Sequence, residues 1–140
     1  MKKILPALAV ILIISACSEE TPNLELFSAE AFAYSLEAGW ELNASVYAKG
    51  FKQEETDDIY TAKLSYVINL ISPLGDTLEM VDYGVADPTG SERLIDTEIE
   101  SQIELDSAFA IGQYKIIFVV TDDLTGQETK TEKTFELTKE

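Results

Sequence analysis

The chain predicts an all-β domain, an antiparallel β-sandwich of about seven strands. Past residue 28, apolar and polar residues alternate with a period of two in one segment after another. The segments are short and regularly spaced, and turn residues such as Ser72-Pro73-Leu74-Gly75-Asp76 separate them. No segment carries a convincing helical period of about 3.6 residues, so crossover helices are not expected. Strands of this kind bury their apolar faces by stacking as two sheets.

Each element follows from its own pattern. Phe32, Tyr34 and Leu36 share one parity in a first strand, which Gly39 interrupts, although Ser28 to Ala33 also fits the start of a helical turn. Trp40, Leu42, Ala44, Val46 and Ala48 form the apolar parity of a second strand, with Asn43, Ser45, Tyr47 and Lys49 opposite. The acidic loop Glu54-Glu55-Thr56-Asp57-Asp58 then breaks the chain. A long third strand places Tyr60, Ala62, Leu64, Tyr66, Ile68 and Leu70 on one face. In the turn after it, Pro73 fixes φ and Gly75 takes the left-handed position. Leu78 to Val85 forms the fourth strand, and Asp87-Pro88-Thr89-Gly90 opens a longer connection.

The fifth strand alternates most cleanly. Thr97, Ile99, Ser101, Ile103 and Leu105 belong inside, and Glu98, Glu100, Gln102 and Glu104 belong in water. Its row of like charges guards the strand against pairing with another chain. Tyr114, Ile116, Phe118 and Val120 run up to Asp122-Asp123-Leu124-Thr125-Gly126, and Thr129, Thr131, Lys133, Phe135 and Leu137 return as a hairpin. Ile117 and Val119 make the sixth strand apolar on both faces, which predicts a central position in its sheet.

The stretch from Phe109 to Ile116, a hydrophobic residue and then Gly112-Gln113-Tyr114, resembles the lead into the penultimate strand of immunoglobulin-like and fibronectin-like domains. The resemblance spans about Ile99 to Leu137 and implies an immunoglobulin-like sandwich. It also implies that Tyr114 closes a corner by hydrogen-bonding back to the preceding loop. The disulfide pair of antibody domains is missing, and Trp40 is a core candidate with no cysteines to frame it.

The N-terminus reads as an address. Lys2 and Lys3 precede an apolar run from Ile4 to Ile14, too short to span a bilayer, followed by Ser15-Ala16-Cys17. Ile14-Ser15-Ala16-Cys17 resembles the lipobox of bacterial lipoproteins, whose cysteine is diacylated and becomes the new N-terminus. The implied division is a signal peptide over 1–16, a lipidated Cys17 with its tether over 17–23, and a β-sandwich over 24–140. Acyl chains contribute about 0.8 kcal/mol per buried methylene, so two or three hold a protein on a membrane. The tether reaches only about 20 Å. The acidic pair Glu19-Glu20 after the cysteine resembles the export signal of surface lipoproteins in Bacteroidetes-type bacteria. Outer-membrane anchorage is expected, with the periplasmic and outward orientations both open.

Composition narrows the function. The 140 residues carry a formal charge of −16, which becomes −18 once Lys2 and Lys3 leave with the signal. Such a charge repels nucleic acid and anionic lipid surfaces. The chain has one cysteine and no histidine. Serine, cysteine and zinc chemistries therefore lack their commonest member, and no enzyme is expected.

Two ligand chemistries remain open. Calcium takes hard oxygen ligands from loops, and Glu54, Glu55, Asp57 and Asp58 in one loop, with Asp122 and Asp123 in another, supply them without EF-hand spacing. Aromatic rings on a sheet face bind sugars, and Tyr47 and Phe51 lie on the parity opposite Trp40. The expectation is a lipid-anchored, non-catalytic envelope module that binds a partner or serves as an accessory subunit. A carbohydrate or calcium module and a structural spacer are the rivals.

Overall fold

The computed structural model describes residues 23–139. The expected signal peptide, Cys17 and the expected tether up to residue 22 lie outside the described residues. The domain is a β-sandwich of antiparallel strands, with no helix among the described residues.

One sheet has the order β1-β2-β8, from β1 (Glu25–Ser35), β2 (Trp40–Lys49) and β8 (Asp96–Leu105). The other has the order β10-β9-β5-β6, from β10 (Glu128–Leu137), β9 (Gly112–Asp122), β5 (Leu64–Ile71) and β6 (Thr77–Ala86). These seven are the expected strands. The sixth of them, β9, is central as its two apolar faces require. The fourth, β6, pairs with β5 and so joins the four-stranded sheet, whereas antibody constant domains place their fourth strand on the other sheet.

A small third sheet was not legible in the pattern. The acidic loop is itself a hairpin, β3 (Glu54–Thr56) with β4 (Ile59–Thr61), and β4 pairs onward with β7 (Thr89–Gly90). Asp57 and Asp58 both have positive φ, at 52° and 63°, as a two-residue type I′ turn requires. The long third strand therefore breaks at Ala62-Lys63. Tyr60 belongs to the minor sheet, and Ala62 is buried at the junction.

The core lies between the two large sheets. Leu42 and Val46 from one, and Leu64, Ile68, Leu70, Ile116, Phe118, Val120 and Leu137 from the other, are fully buried. Trp40 is buried too, and its indole N–H donates to the carbonyl of Thr138 at 2.9 Å. Tyr114 stacks on Phe135 at 5.4 Å, and its hydroxyl donates to the carbonyl of Ala110 at 2.7 Å. The corner implied by the resemblance is thus formed, with the bond four residues upstream. Two lateral ties join the sheets. The Asp82 carboxylate on β6 accepts from the Ser101 hydroxyl on β8, and β1 lies against β10.

Two parities turn out differently from the alternation. In β1, the buried residue is Ala31, while Phe32, Tyr34 and Leu36 are 56%, 57% and 44% exposed. The cause is the pairing: Ala33 sits opposite Leu42 and Ala31 opposite Ala44, whose side chains fill the core, so the alternate set points outward. No helical turn forms at Ser28. That residue has φ of 51° and lies in a bulge where the β1–β2 register shifts between Phe27 and Glu30.

Phe51 is the second. It is 4% exposed and belongs to the core, not to an outward face beside Tyr47. The strand ends at Lys49, and Gly50 turns the chain with φ of 73°. Parity does not survive a left-handed residue, so Phe51 swings inward.

Candidate binding face

The outer face of the three-stranded sheet is built by register. Three columns of side chains stand on it. β1 contributes Glu25, Phe27, Glu30, Phe32 and Tyr34; β2 contributes Lys49, Tyr47, Ser45, Asn43 and Glu41; β8 contributes Asp96, Glu98, Glu100, Gln102 and Glu104. Neighbouring strands lie about 4.8 Å apart, so the outer columns are separated by about 10 Å. The middle column is small and polar at Asn43 and Ser45. A shallow depression of about 400 Å³ therefore opens there, lined by Glu30, Phe32, Asn43, Ser45, Glu98, Glu100 and Gln102 among others. The β1 wall carries Phe32 beside Glu30, and the β8 wall carries Glu98, Glu100 and Gln102.

Specific contacts hold the walls in place. The Tyr47 hydroxyl donates to Glu98 Oε2 at 2.9 Å, and its ring lies 5.5 Å from that of Phe27. The bond to Glu98 and then its negative charge raise the Tyr47 pKa above its ordinary value, because ionising the phenol would lose the bond and set a phenolate against the carboxylate. Asn43 donates to Glu41 Oε1 at 3.0 Å, and hydrogen bonds from Asn43 and then Gln102 hold the Glu41 pKa below the usual carboxylate value. Lys49 ion-pairs with Glu25 at 3.6 Å, and its ammonium lies 5.2 Å from the Phe27 ring centroid.

The structure separates the residues singled out in the sequence. Tyr47 stands on this face and Phe51 does not. The acidic residues proposed for calcium do not converge. Among the described residues no group of three or more metal-ligating side chains comes together. Glu54 and Glu55 lie on β3, and Asp57 and Asp58 form its turn. Asp122 is 1% exposed and accepts backbone amides from Lys52 at 2.8 Å and Leu124 at 3.0 Å. Asp123 accepts from the Ser65 hydroxyl at 2.6 Å. Asp122 thus ties its loop to the segment at Lys52, and Asp123 ties it to β5.

Sequence reasoning missed Phe27, Phe32 and Tyr34. The signal that points to them is the alanine series Ala29, Ala31 and Ala33 on the other parity. Alanine suits a strand that must lie close over large neighbours, and Leu42 faces Ala33 directly. A second apolar surface lies on edge strand β6, where Met80, Tyr83 and Val85 are 58%, 68% and 54% exposed. A bulge with Met80 at φ of 54° interrupts its pairing.

No protein-family model matches this chain, and no curated protein matches it. Among solved structures, the fold is similar to part of a family 123 glycoside hydrolase from Clostridium perfringens, with a TM-score of 0.51 and 12% sequence identity. The likeness covers 76% of this chain and 22% of that one. The chain thus corresponds to about a fifth of that enzyme, and at this identity the likeness is one of fold.

Proposed function

We propose that this protein is a lipid-anchored, non-catalytic binding module of the bacterial envelope, and that it engages a protein partner through the outer face of the three-stranded sheet. The observation that carries this reading is the exposure of Phe32 and Tyr34 in one column, beside a depression walled on its far side by carboxylates. Aromatic rings more than half exposed on a regular sheet face are costly in water unless something covers them. The anchor reading rests on the lipobox-like Ile14-Ser15-Ala16-Cys17, and the non-catalytic reading on a chain without histidine.

Photo-cross-linking in intact cells tests the proposal. A cross-linking residue at position 34 is expected to capture one recurrent protein, and the same residue at position 136, on the opposite sheet, is not. Capture from position 136 alone would overturn the assignment of the face. Cys17→Ser is expected to release the protein from the membrane fraction, and continued sedimentation with membranes would overturn the anchor.

A further inference from the structure

Building on that reading of the face, we infer that its occupant is a basic protein segment, an extended stretch of a partner presenting lysine or arginine side chains to the trough. The molecule already contains one instance of the mode. Lys49 is held between a carboxylate of β1, Glu25 at 3.6 Å, and the ring of Phe27 at 5.2 Å. The same combination of ring and carboxylate recurs along the sheet. Phe32 stands in the wall facing Gln102 and Glu100, and Tyr34 lies in the row of Glu41 and Glu104. Among the described residues, no lysine or arginine forms an ion pair with Glu30, Glu98, Glu100 or Glu104.

Charge and shape select the same class. A basic segment relieves the mutual repulsion of the carboxylate column and places its cations over exposed rings. A neutral glycan would stack on Phe32 and Tyr34 but would leave the column of like charges uncompensated. Acidic ligands are repelled. The trough is open at the surface and about 10 Å wide between its walls, which suits an extended chain with side chains directed alternately into it.

The test uses the full-length lipoprotein in detergent, titrated calorimetrically with a synthetic peptide alternating arginine and serine. A glutamate-serine peptide and chito-oligosaccharides are titrated beside it. The arginine peptide is expected to bind, with an affinity that falls steeply as salt rises. Phe32→Ala combined with Tyr34→Ala is expected to weaken it about fivefold to thirtyfold, from two exposed cation–π contacts. Glu98→Gln with Glu100→Gln is expected to weaken it about tenfold, and Glu79→Gln with Glu136→Gln, the same charge change on the other sheet, by less than about twofold. Equal losses in the two glutamate pairs would reduce the effect to net charge and overturn the inference. Absence of peptide binding would overturn it as well. Salt-independent binding of the oligosaccharide, lost in the aromatic variant, would overturn the basic occupant and replace the protein partner with a glycan on the same face. The cross-linking experiment stands apart from all of these, because a partner captured from position 34 with no basic contact segment keeps the face and removes only the occupant.

Discussion

Asp122 offers the sharpest test of the structural reasoning, because sequence and structure give it different jobs. Its side chain is 1% exposed, with one oxygen on the Lys52 amide at 2.8 Å and the other on the Leu124 amide at 3.0 Å. Asp122→Asn keeps one acceptor and turns an NH₂ group toward an amide that also donates. A hydrogen bond to a charged group is worth about 1.5–3 kcal/mol, and a buried donor left without a partner costs about 1–3 kcal/mol. Combining a weakened bond with a lost one gives about 2–4 kcal/mol. Unfolding entropy of about 2.1 cal/mol/K per residue, over about 115 residues, converts this to a fall in Tm of about 8–16 °C. The assay is thermal unfolding followed by the fluorescence of Trp40, run once with calcium and once with chelator. The same fall is expected in both. A fall below about 2 °C would refute the lash. So would a calcium-dependent rise in the wild-type Tm that the variant abolishes, since Asp122 would then be an ion ligand.

Three further outcomes are expected. Phe51→Ala removes a buried ring and costs about 3–5 kcal/mol in urea unfolding, while Tyr47→Ala is expected to shift the urea midpoint far less; similar losses would return the two residues to one face. Tyr114→Phe deletes the 2.7 Å bond to the Ala110 carbonyl and costs about 1–2 kcal/mol, and an unchanged urea midpoint would show that the corner contributes nothing. The Tyr47 phenol is stabilised in its neutral, donating form, so its contribution is present below the unfolded tyrosine pKa and is lost as pH rises through the higher folded value. Ultraviolet titration of the wild type against Tyr47→Phe isolates this group, and Glu98→Gln is expected to return it toward ordinary tyrosine behaviour; a titration indifferent to Glu98 would refute the contact.

The strands that could be read from sequence were those with one apolar parity and one polar parity. Ile99, Ile103 and Leu105 against Glu98, Glu100 and Glu104 admit a single orientation, and the structure has it. In β1 both parities are apolar, Ala29-Ala31-Ala33 against Phe32 and Tyr34. Periodicity then states that a strand exists without stating which face is inside, and size is a poor guide. The deciding fact is a cross-strand partner, Leu42 opposite Ala33, and partners are a property of register. Phe51 failed for a different reason. Gly50 sits between it and the strand, and a glycine with φ of 73° resets the face of everything after it. Glycine followed by a large apolar residue at a strand end is a visible signal, but its meaning depends on a dihedral angle that the letters do not carry. The minor sheet was hidden because its strands are two or three residues long, shorter than any alternation can show.

These two failures bear on function in opposite ways, and together they locate the face. Losing Phe51 to the core removes the aromatic pair that had suggested sugar binding. Gaining Phe32 and Tyr34 supplies a different pair, one strand over, opposite the carboxylate column that had looked like a mere guard. The two readings of that column are compatible. An exposed aromatic face invites a second copy of the chain to stack on it, and a wall of like charges on the same face keeps such copies apart. Self-association places carboxylates against carboxylates, whereas a basic segment places cations against them. On the proposed reading, the arrangement that discourages the homotypic contact favours the heterotypic one, and the acidity of this sheet would work as a selectivity element as well as a solubility one.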